Sequence, residues 1–505
     1  MAEWREASSA NFVIYADDDE QNIRRFSRQL ELYHSALEAL TGEDLPAPSP
    51  SNRLTIFVVK NDREVRRLMG EGPRRIAGFY RPRAGASIAV VPRVKTGGDH
   101  TAFPMIVLLH EYTHHFLISA GASMGPRWYD EGGAEFFASA QFPHAGGISL
   151  GGPARHRMGA LLHGREVKVR ELLDPASFEA GMEKASNAFY ARSWLLYHYL
   201  TFAEMRQGQM EAYLGLMGKG LGTMKAARQA FGDFDQLDRE LKLYLGRPIR
   251  SFSFQPGKLG VGSIMVRQLD EAEAAVMPLV MRLRSGVGPD QAAQLVGEVR
   301  KIAVLYPQSA PVLSALAEAE VDAGNMRRAI RAADRAIELD PQQRNAYVQK
   351  GNALFRQAAQ ADDRDAAYTA AMAPFMALRR LEKDHPLPLI YNFHNYLERA
   401  RPPPAEAVQG MERAIRLAPF DQSLRSDLAQ YYLKHGKFAE ARPHLASIAS
   451  DPNGGFLSEA ARRVVRRIDA GVKGEDAGRQ LAALLTSPTF YAQEGAVSAV
   501  KEGGE

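Results

Sequence analysis

The spacing of apolar residues alternates between strand-like and helix-like over the first hundred residues of the chain. Residues 20–41 place apolar side chains at helical spacing, whereas the short apolar runs around them are typical of buried strands. The predicted strands are residues 11–15, 53–59, 78–80 and 86–91, and a second helix is predicted over 62–69. We interpret residues 1–100 as a small α/β unit.

Helices dominate the pattern from residue 101 to about residue 250. Pro104 suits the first turn of a helix, which we predict over 104–120, and a second helix is predicted over 130–141 after a loop rich in Gly and Pro. A further Gly- and Pro-rich stretch begins at Arg247 and marks a boundary. We therefore expect a helical part at 101–250 and a linker at 251–300.

The tail of the chain repeats itself. In frames of 34 residues, small and apolar residues recur at matching offsets, and the first frame has them at Leu313, Leu316, Ala317, Ala329, Ala333, Ala336 and Pro341. Pro341 and Pro419 are 78 residues apart, which is two repeats plus 10, so the second repeat must be expanded around 362–372. The pattern resembles the tetratricopeptide repeat, and residues 301–505 are expected to form an all-α solenoid.

Composition excludes several kinds of site. The 505 residues carry 63 basic and 59 acidic side chains, a net charge of +4, so a nucleic-acid partner is not expected. The chain has no cysteine, which excludes disulfides, thiol nucleophiles and thiolate metal sites. His and carboxylate side chains are therefore the only strong ligands available to a transition metal.

The longest apolar run, Phe103–Leu109, is far shorter than the roughly 20 residues that a membrane-spanning helix needs. We expect no membrane span and a soluble chain. The compartment stays open: the protein is cytoplasmic, or periplasmic or secreted if an export signal has been removed.

The sequence His110-Glu111-Tyr112-Thr113-His114 is an H-E-x-x-H motif. On a helix, the spacing of four places both imidazoles on one face, one turn apart, where they can share a metal ion. Glu131 follows 17 residues after His114 at the start of the next predicted helix and offers a third ligand. Two neutral imidazoles and a carboxylate suit zinc and leave a fourth position for water, so we predict one Zn²⁺ per chain.

Two further carboxylates have predicted roles beside the zinc ion. Zinc lowers the pKa of its water to about 7, so Glu111 can take a proton from that water and later deliver it to the leaving amine. Glu135 lies one turn after Glu131 and can accept the free N–H of a ligating histidine, which would fix that ring's tautomer.

These motifs resemble the gluzincin clan of zinc metallopeptidases, which includes thermolysin and the aminopeptidase N family. The stretch from Trp128 to Phe137 is similar to bacterial peptidase MA-like domains. The resemblance implies an α+β fold with a thermolysin-like zincin catalytic domain, a small mixed sheet plus helices, ahead of the solenoid. It also implies His110, His114 and Glu131 as ligands and Glu111 as general base, and it matches Tyr190 to a tyrosine that donates to the oxyanion.

The resemblance also bears on the substrate. The Gly-x-Met-Glu-Asn stretch by which the aminopeptidase branch recognises a free N-terminus has no counterpart before His110, so we expect an endopeptidase acting on a polypeptide. In the clan, the strand matching residues 86–91 usually lies at the sheet edge and pairs with an extended substrate.

Several alternatives remain open. The histidines of the motif could be exposed polar residues on a helix. Glu131 and Glu135 could be solvated carboxylates in the first turns of a helix. Tyr190 could be a core residue whose hydroxyl contacts water. The solenoid could bind a protein partner or merely stabilise the chain. The rival function is a catalytically inactive peptidase-like scaffold that works through its repeats. Four further histidines, namely His115, His156, His163 and His198, show no ligand pattern and are expected at the surface or satisfied in the core.

Overall fold

The computed structural model describes residues 3–70, 77–94, 96, 100–121, 125–144, 146–174, 177, 186–450 and 455–486. Helices dominate these residues, and one small mixed sheet lies near the start of the chain. The last part of the expected repeat region, residues 487–505, falls outside the described residues. None of the described helices combines the length and apolar character that a membrane span requires.

The main sheet has six strands in the order β4-β5-β3-β2-β1-β8. A separate pair, β6 and β7, forms a two-stranded antiparallel ribbon. The strand bounds are β1 Trp4–Ser8, β2 Phe12–Asp17, β3 Leu54–Val59, β4 Phe79–Arg81, β5 Ile88–Pro92, β6 Ile148–Leu150, β7 Phe252–Phe254 and β8 Met265–Gln268. All four strands predicted in the first hundred residues are present.

The centre of the main sheet is parallel. Ile14 of β2 pairs with Ile56 of β3, and Ile56 pairs with Ala89 of β5. Strand β5 is therefore internal, with β3 on one side and the antiparallel strand β4 on the other. The expectation that residues 86–91 form the sheet edge is wrong, because the short strand β4 occupies that position.

Alternate side chains of these strands enter different cores, because successive residues of a strand point to opposite faces. Ile56 belongs to the large core that contains the helices on one face, whereas Phe57 belongs to a smaller core on the other face. The helices of this part are α1 Glu20–Thr41, α2 Asp62–Met69, α3 Phe103–Ser119, α4 Arg127–Ala138, α5 Met158–His163, α6 Val169–Leu173, α7 Ser186–Phe202, α8 Gln209–Gly218, α9 Thr223–Phe231 and α10 Phe234–Tyr244.

Residues 251–300, expected as a linker, are built into the fold. Strand β8 pairs with β1 through Arg5↔Gln268 to Ser8↔Met265, and β7 pairs with β6. The next helix, α11 (Glu271–Arg284), places Met277 and Met281 in the core on the second face of the sheet. The Gly and Pro residues that indicate a linker are confined to the short connections between these elements.

A run of helices continues from α11 to the end of the described chain. Each helix from α11 to α21 contacts the next one in sequence, α13 also contacts α15, and α23 contacts α20, as expected for stacked repeat units. The extra helix α16 fills the segment where the repeat period predicts an expansion, which confirms its position. The remaining bounds are α12 Pro289–Leu305, α13 Ala310–Asp322, α14 Met326–Leu339, α15 Arg344–Ala358, α16 Arg364–Ala371, α17 Ala373–Leu381, α18 Leu387–Glu398, α19 Ala405–Leu417, α20 Gln422–Lys434, α21 Phe438–Ser450, α22 Gly455–Asp469 and α23 Glu475–Ala483.

Candidate metal centre

His110, His114 and Glu131 come together in the fold. Each offers one ligand atom, and these atoms all lie within 4.8 Å of one another. Oε2 of Glu131 is 3.3 Å from Nε2 of His110 and 3.4 Å from Nε2 of His114, and the two Nε2 atoms are 3.3 Å apart. All three side chains are buried. Among the described residues, they form the one group of three or more side chains that could hold a metal ion.

Two helices bring these ligands together. Helix α3 starts with Pro104 in its first turn and carries both histidines on one face, as their spacing predicts. Helix α4 carries Glu131 and packs against α7 without room for side chains at its glycines: a Cβ atom on Gly132 would lie 2.6 Å from the carbonyl oxygen of Ser193. The glycine after Glu131 therefore allows the close approach of α4 and α7.

The donor set fits a zinc ion. Oε2 of Glu131 is buried and has no hydrogen-bond partner in the part of the chain that the structure describes, which is unusual for a buried carboxylate oxygen. Burial alone would raise the pKa of Glu131, but the two imidazoles hold it below its ordinary value. Burial likewise lowers the pKa of His110, yet Glu131 and Glu135 outweigh it and raise this pKa to about 10. A cation placed between these atoms would meet a carboxylate and two imidazoles, the ligand types that zinc takes in catalytic sites.

Glu111 is buried next to this group. Its Oε1 atom has no hydrogen-bond partner among the described residues. A carboxylate oxygen left unpaired in a buried site has its lone pairs available for a water molecule or a substrate. This is the condition that a general base needs before substrate arrives.

Glu135 lies behind His110, as predicted for a supporting carboxylate. Its Oε1 atom is 3.3 Å from Nδ1 of His110 and 2.6 Å from Nη2 of Arg157, and its Oε2 atom is 2.7 Å from Nε2 of His156. Burial raises the pKa of Glu135, but Arg157 and His156 bring it well below its ordinary value. The carboxylate is thus ionised and can orient the ring of His110.

Tyr190 of α7 also reaches the site. Its hydroxyl lies 3.5 Å from Oε1 of Glu131, and its ring centroid is 6.0 Å from that of His110. The guanidinium carbon of Arg157 is 5.0 Å from the centre of the Tyr190 ring. Burial and the nearby Glu131 raise the pKa of Tyr190, so its hydroxyl keeps its proton at neutral pH and remains a hydrogen-bond donor.

The other histidines divide into three groups. His198 is satisfied in the core: its Nε2 atom is 3.0 Å from the carbonyl oxygens of Gly151 and Arg250, and its Nδ1 atom is 2.9 Å from the hydroxyl of Tyr244. His163 is exposed, as expected. His156 is largely buried and its Nε2 atom contacts the carboxylate of Glu135, and His115 stacks on a residue of the repeats.

Sequence reasoning missed Arg157. It is buried and connects two predicted site residues, since it contacts Glu135 through its guanidinium group and covers the ring of Tyr190. The pair His156-Arg157 lies in a short 3-10 turn with no motif around it. The signal that could have found it is electrostatic: a buried Glu135 requires a cation, and the sequence does not say which one supplies it.

No protein-family model and no curated protein matches the sequence. Several solved structures are similar to part of the chain, and two of them serve as examples. One is a thermophilic TPR protein in Thermus thermophilus, with 19% identity, a TM-score of 0.30, and coverage of 39% of this chain and 98% of that chain. The other is MamA, with 16% identity, a TM-score of 0.27, and coverage of 36% of this chain and 95% of that chain. The similarity to these two proteins thus spans little more than a third of this chain.

Proposed function

We propose that this chain is a zinc-dependent peptidase of the thermolysin-like zincin type. The observation that carries the proposal is the convergence of His110, His114 and Glu131, whose ligand atoms all lie within 4.8 Å of one another in a buried site. Glu111, next to the first ligand, adds a carboxylate with an unpaired oxygen. Three protein ligands with a base beside them favour a catalytic over a structural zinc site.

When bound, the zinc ion supplies Lewis acidity, which polarises a carbonyl group and makes a water molecule acidic near neutral pH. The residues of the chain supply the proton transfers. Glu111 takes one proton of the attacking water as the new C–O bond forms at the peptide carbon. It then donates that proton to the amide nitrogen, so that the C–N bond breaks and a neutral amine leaves. Water is added across one peptide bond, and no other reactant is consumed.

Tyr190 and Glu135 support this reaction in two different ways. The protonated hydroxyl of Tyr190 can donate a hydrogen bond to the oxygen that becomes negative in the transition state, an interaction worth about 2.7–4 kcal/mol for comparable donors. Oε1 of Glu135 lies 3.3 Å from Nδ1 of His110, where it can accept that N–H and leave Nε2 for the metal ion. We place an endopeptidase action on an extended polypeptide first, since the sequence carries no motif for a free N-terminus.

The second candidate is a scaffold that works through its repeats and hydrolyses nothing. The observation that favours it is the run of stacked helices from α11 to α23, which fills the second half of the described chain. Arrays of this kind commonly present long binding surfaces to other proteins. Peptide hydrolysis is supported by the geometry of the site.

Metal analysis is the first test. Protein purified without chelator should contain about one zinc ion per chain, and His114→Ala should lose it. The matched control is His163→Ala, which removes an exposed histidine and should keep the metal content unchanged. Wild-type protein with almost no zinc, and no uptake of added zinc, would exclude the enzyme and leave the scaffold.

Activity is the second test. Glu111→Gln keeps the size of the side chain but removes the base, so it should retain zinc and lose cleavage of a mixed peptide library. Equal cleavage by both forms would mean that Glu111 is not the base or that a contaminant cleaves. A wild-type protein that binds zinc but cleaves no peptide at all would favour the scaffold.

A further inference from the structure

One side chain of the repeats touches the metal-binding helix directly beside a ligand. The ring of Phe420, in the corner between α19 and α20, stacks on the ring of His115 with centroids 4.4 Å apart and planes 29° apart. His115 is the residue after the proposed ligand His114 on α3. The repeats therefore contact the residue directly next to a proposed metal ligand.

His115 is held on several sides. The hydroxyl of Tyr80 on β4 lies 2.5 Å from its Nδ1 atom, and the ring of Tyr112 stacks on it at 5.6 Å and 22°. The ring of Phe420, which is itself buried, packs against it from the repeats. Phe420 thus completes an aromatic enclosure around a residue of the metal-binding helix.

The same corner of the repeats holds the turn between β4 and β5. The backbone N–H of Ala84 donates to Oδ2 of Asp421 at 2.9 Å, and Ala84 belongs to the hydrophobic core of the last repeats. Gly85 has a φ of +73°, and a Cβ atom there would lie 2.8 Å from Cε1 of His385. This fit requires glycine and shows a close, specific contact.

Hydrogen bonds extend the contact to the segment before β3. The backbone N–H and the hydroxyl of Ser51 donate to the carboxylate of Glu382 at 3.0 and 2.8 Å. The side-chain amide of Asn52 donates to the carbonyl oxygen of Leu417 at 2.9 Å. The repeats are therefore fastened to the α/β unit at Glu382 and Leu417 as well as at the corner that carries Phe420.

An α-helix moves as a rigid body over one turn, because each backbone N–H is bonded to the carbonyl four residues earlier. A shift of His115 therefore shifts His114 with it. Metal–ligand distances in zinc sites are expected to lie within about 0.2 Å of their usual values. Contact with Phe420 can thus decide whether the ligands are in place.

We infer that Phe420 is a positioning residue of the metal centre, so that the repeats control zinc binding through the stack on His115. This inference rests on the proposed zinc site. A protein that binds the repeats and draws the corner between α19 and α20 away from α3 would weaken zinc binding, and one that stabilises the corner would strengthen it.

The test compares three variants of the full chain. Phe420→Ala removes the stack, Phe420→Leu keeps most of its volume, and Phe393→Ala is the matched control. Phe393 is equally apolar, fully buried and in the same hydrophobic core, but its ring contacts are with His394 and Tyr431 of the repeats. The zinc dissociation constant is measured by competition with a chelator, and amide hydrogen exchange is measured over residues 103–119 without added zinc.

Phe420→Ala should weaken zinc binding by about tenfold or more, as the loss of supporting contacts does in other zinc sites. It should also speed amide exchange in α3. Phe420→Leu should weaken zinc binding by no more than about threefold and speed amide exchange in α3 to a smaller extent than Phe420→Ala, and Phe393→Ala should change neither measurement. Equal zinc affinities for Phe420→Ala and Phe393→Ala would overturn the inference, as would unchanged exchange in α3.

The exchange measurement separates this inference from the proposed function. If the wild type binds no zinc, the proposed function fails, and faster exchange in α3 of Phe420→Ala alone would still uphold the link between repeats and helix. If Phe420→Ala does not fold, Phe420→Leu decides: faster exchange in α3 than in the control supports the link, and the same rate as in the control overturns it.

Discussion

Nη2 of Arg157 lies 2.6 Å from Oε1 of Glu135, and both side chains are buried. Removing the guanidinium group leaves a buried carboxylate short of its main cation, which typically costs about 3–5 kcal/mol. Arg157→Met should therefore lower the free energy of unfolding by about that amount and weaken zinc binding by about 10- to 100-fold. Urea unfolding and chelator competition measure the two effects.

Arg192→Met is the control for this prediction. Arg192 is also buried, and its guanidinium group lies 2.5 Å from the carboxylate of Asp238. Its loss should reduce stability without reducing zinc affinity. Equal losses of zinc affinity in both variants would show that Arg157 acts only through general stability.

Tyr190→Phe should lower the turnover number about tenfold or more, because it removes the donor to the developing oxyanion. The zinc content should stay the same, since Tyr190 supplies no ligand atom to the group of three. Steady-state kinetics on a cleaved peptide and metal analysis check the two statements. An unchanged turnover number would mean that Tyr190 has only a structural role.

Gly132→Ala should disturb the contact of α4 with α7. Its Cβ atom would meet the backbone oxygen of Ser193 at 2.6 Å, and backbone cannot rotate away. Overpacking of this kind costs about 1–3 kcal/mol, and the helix that carries Glu131 must move, so zinc affinity should fall too. In Gly297→Ala, inside α12, the new Cβ atom meets nothing within 4 Å, and this control should gain about 0.5–1 kcal/mol. A stable Gly132→Ala with normal zinc affinity would contradict the packing argument.

Asp322 at the end of α13 gives a pH dependence with a defined sign. Burial raises its pKa to about 7, Glu318 adds to this, and Arg356 and Arg83 oppose it. The unfolded carboxyl keeps its ordinary pKa of 3.8, so the folded chain holds a proton that the unfolded chain releases between these values. The stability from this group is therefore present below pH 4 and lost as the pH rises through 7.

Asp322→Asn should consequently stabilise the protein at pH 8 by about 1–2 kcal/mol, after allowance for solvent around this half-buried group. At pH 4 it should have little effect. Asp290→Asn removes an exposed carboxylate and should bring no gain at either pH. Equal effects of Asp322→Asn at both pH values would mean that the carboxyl is ionised in the folded chain.

The local parts of the site could be predicted from sequence because they depend on spacing within one helix. His110 and His114 share a helix face by their separation of four, and Glu135 follows Glu131 by one turn. The meeting of Glu131 with the histidines depends on how α3 and α4 pack, and the resemblance to the gluzincin clan supplied that step. Strands β2, β3, β4 and β5 were likewise predictable from short apolar runs.

The features that were missed depend on contacts distant in sequence. The contact between Arg157 and Glu135 depends on how a short turn packs. The contact between Phe420 and His115 depends on how the repeats pack against the metal-binding helix. The pairing of β8 with β1 was hidden because an exposed strand of four residues has little apolar pattern. Periodicity within a segment carries no information about which distant segment will pack against it.

Strand β8 pairs with β1, and α11 packs on the sheet. These contacts limit where the chain can be cut to give a stable fragment. A fragment ending at residue 250 would leave β1 as an open edge and uncover the core around Phe57, and such edges invite self-association. The metal-binding part alone should therefore aggregate. In the intact chain, the two halves share these contacts, so loss of either half should destabilise the other.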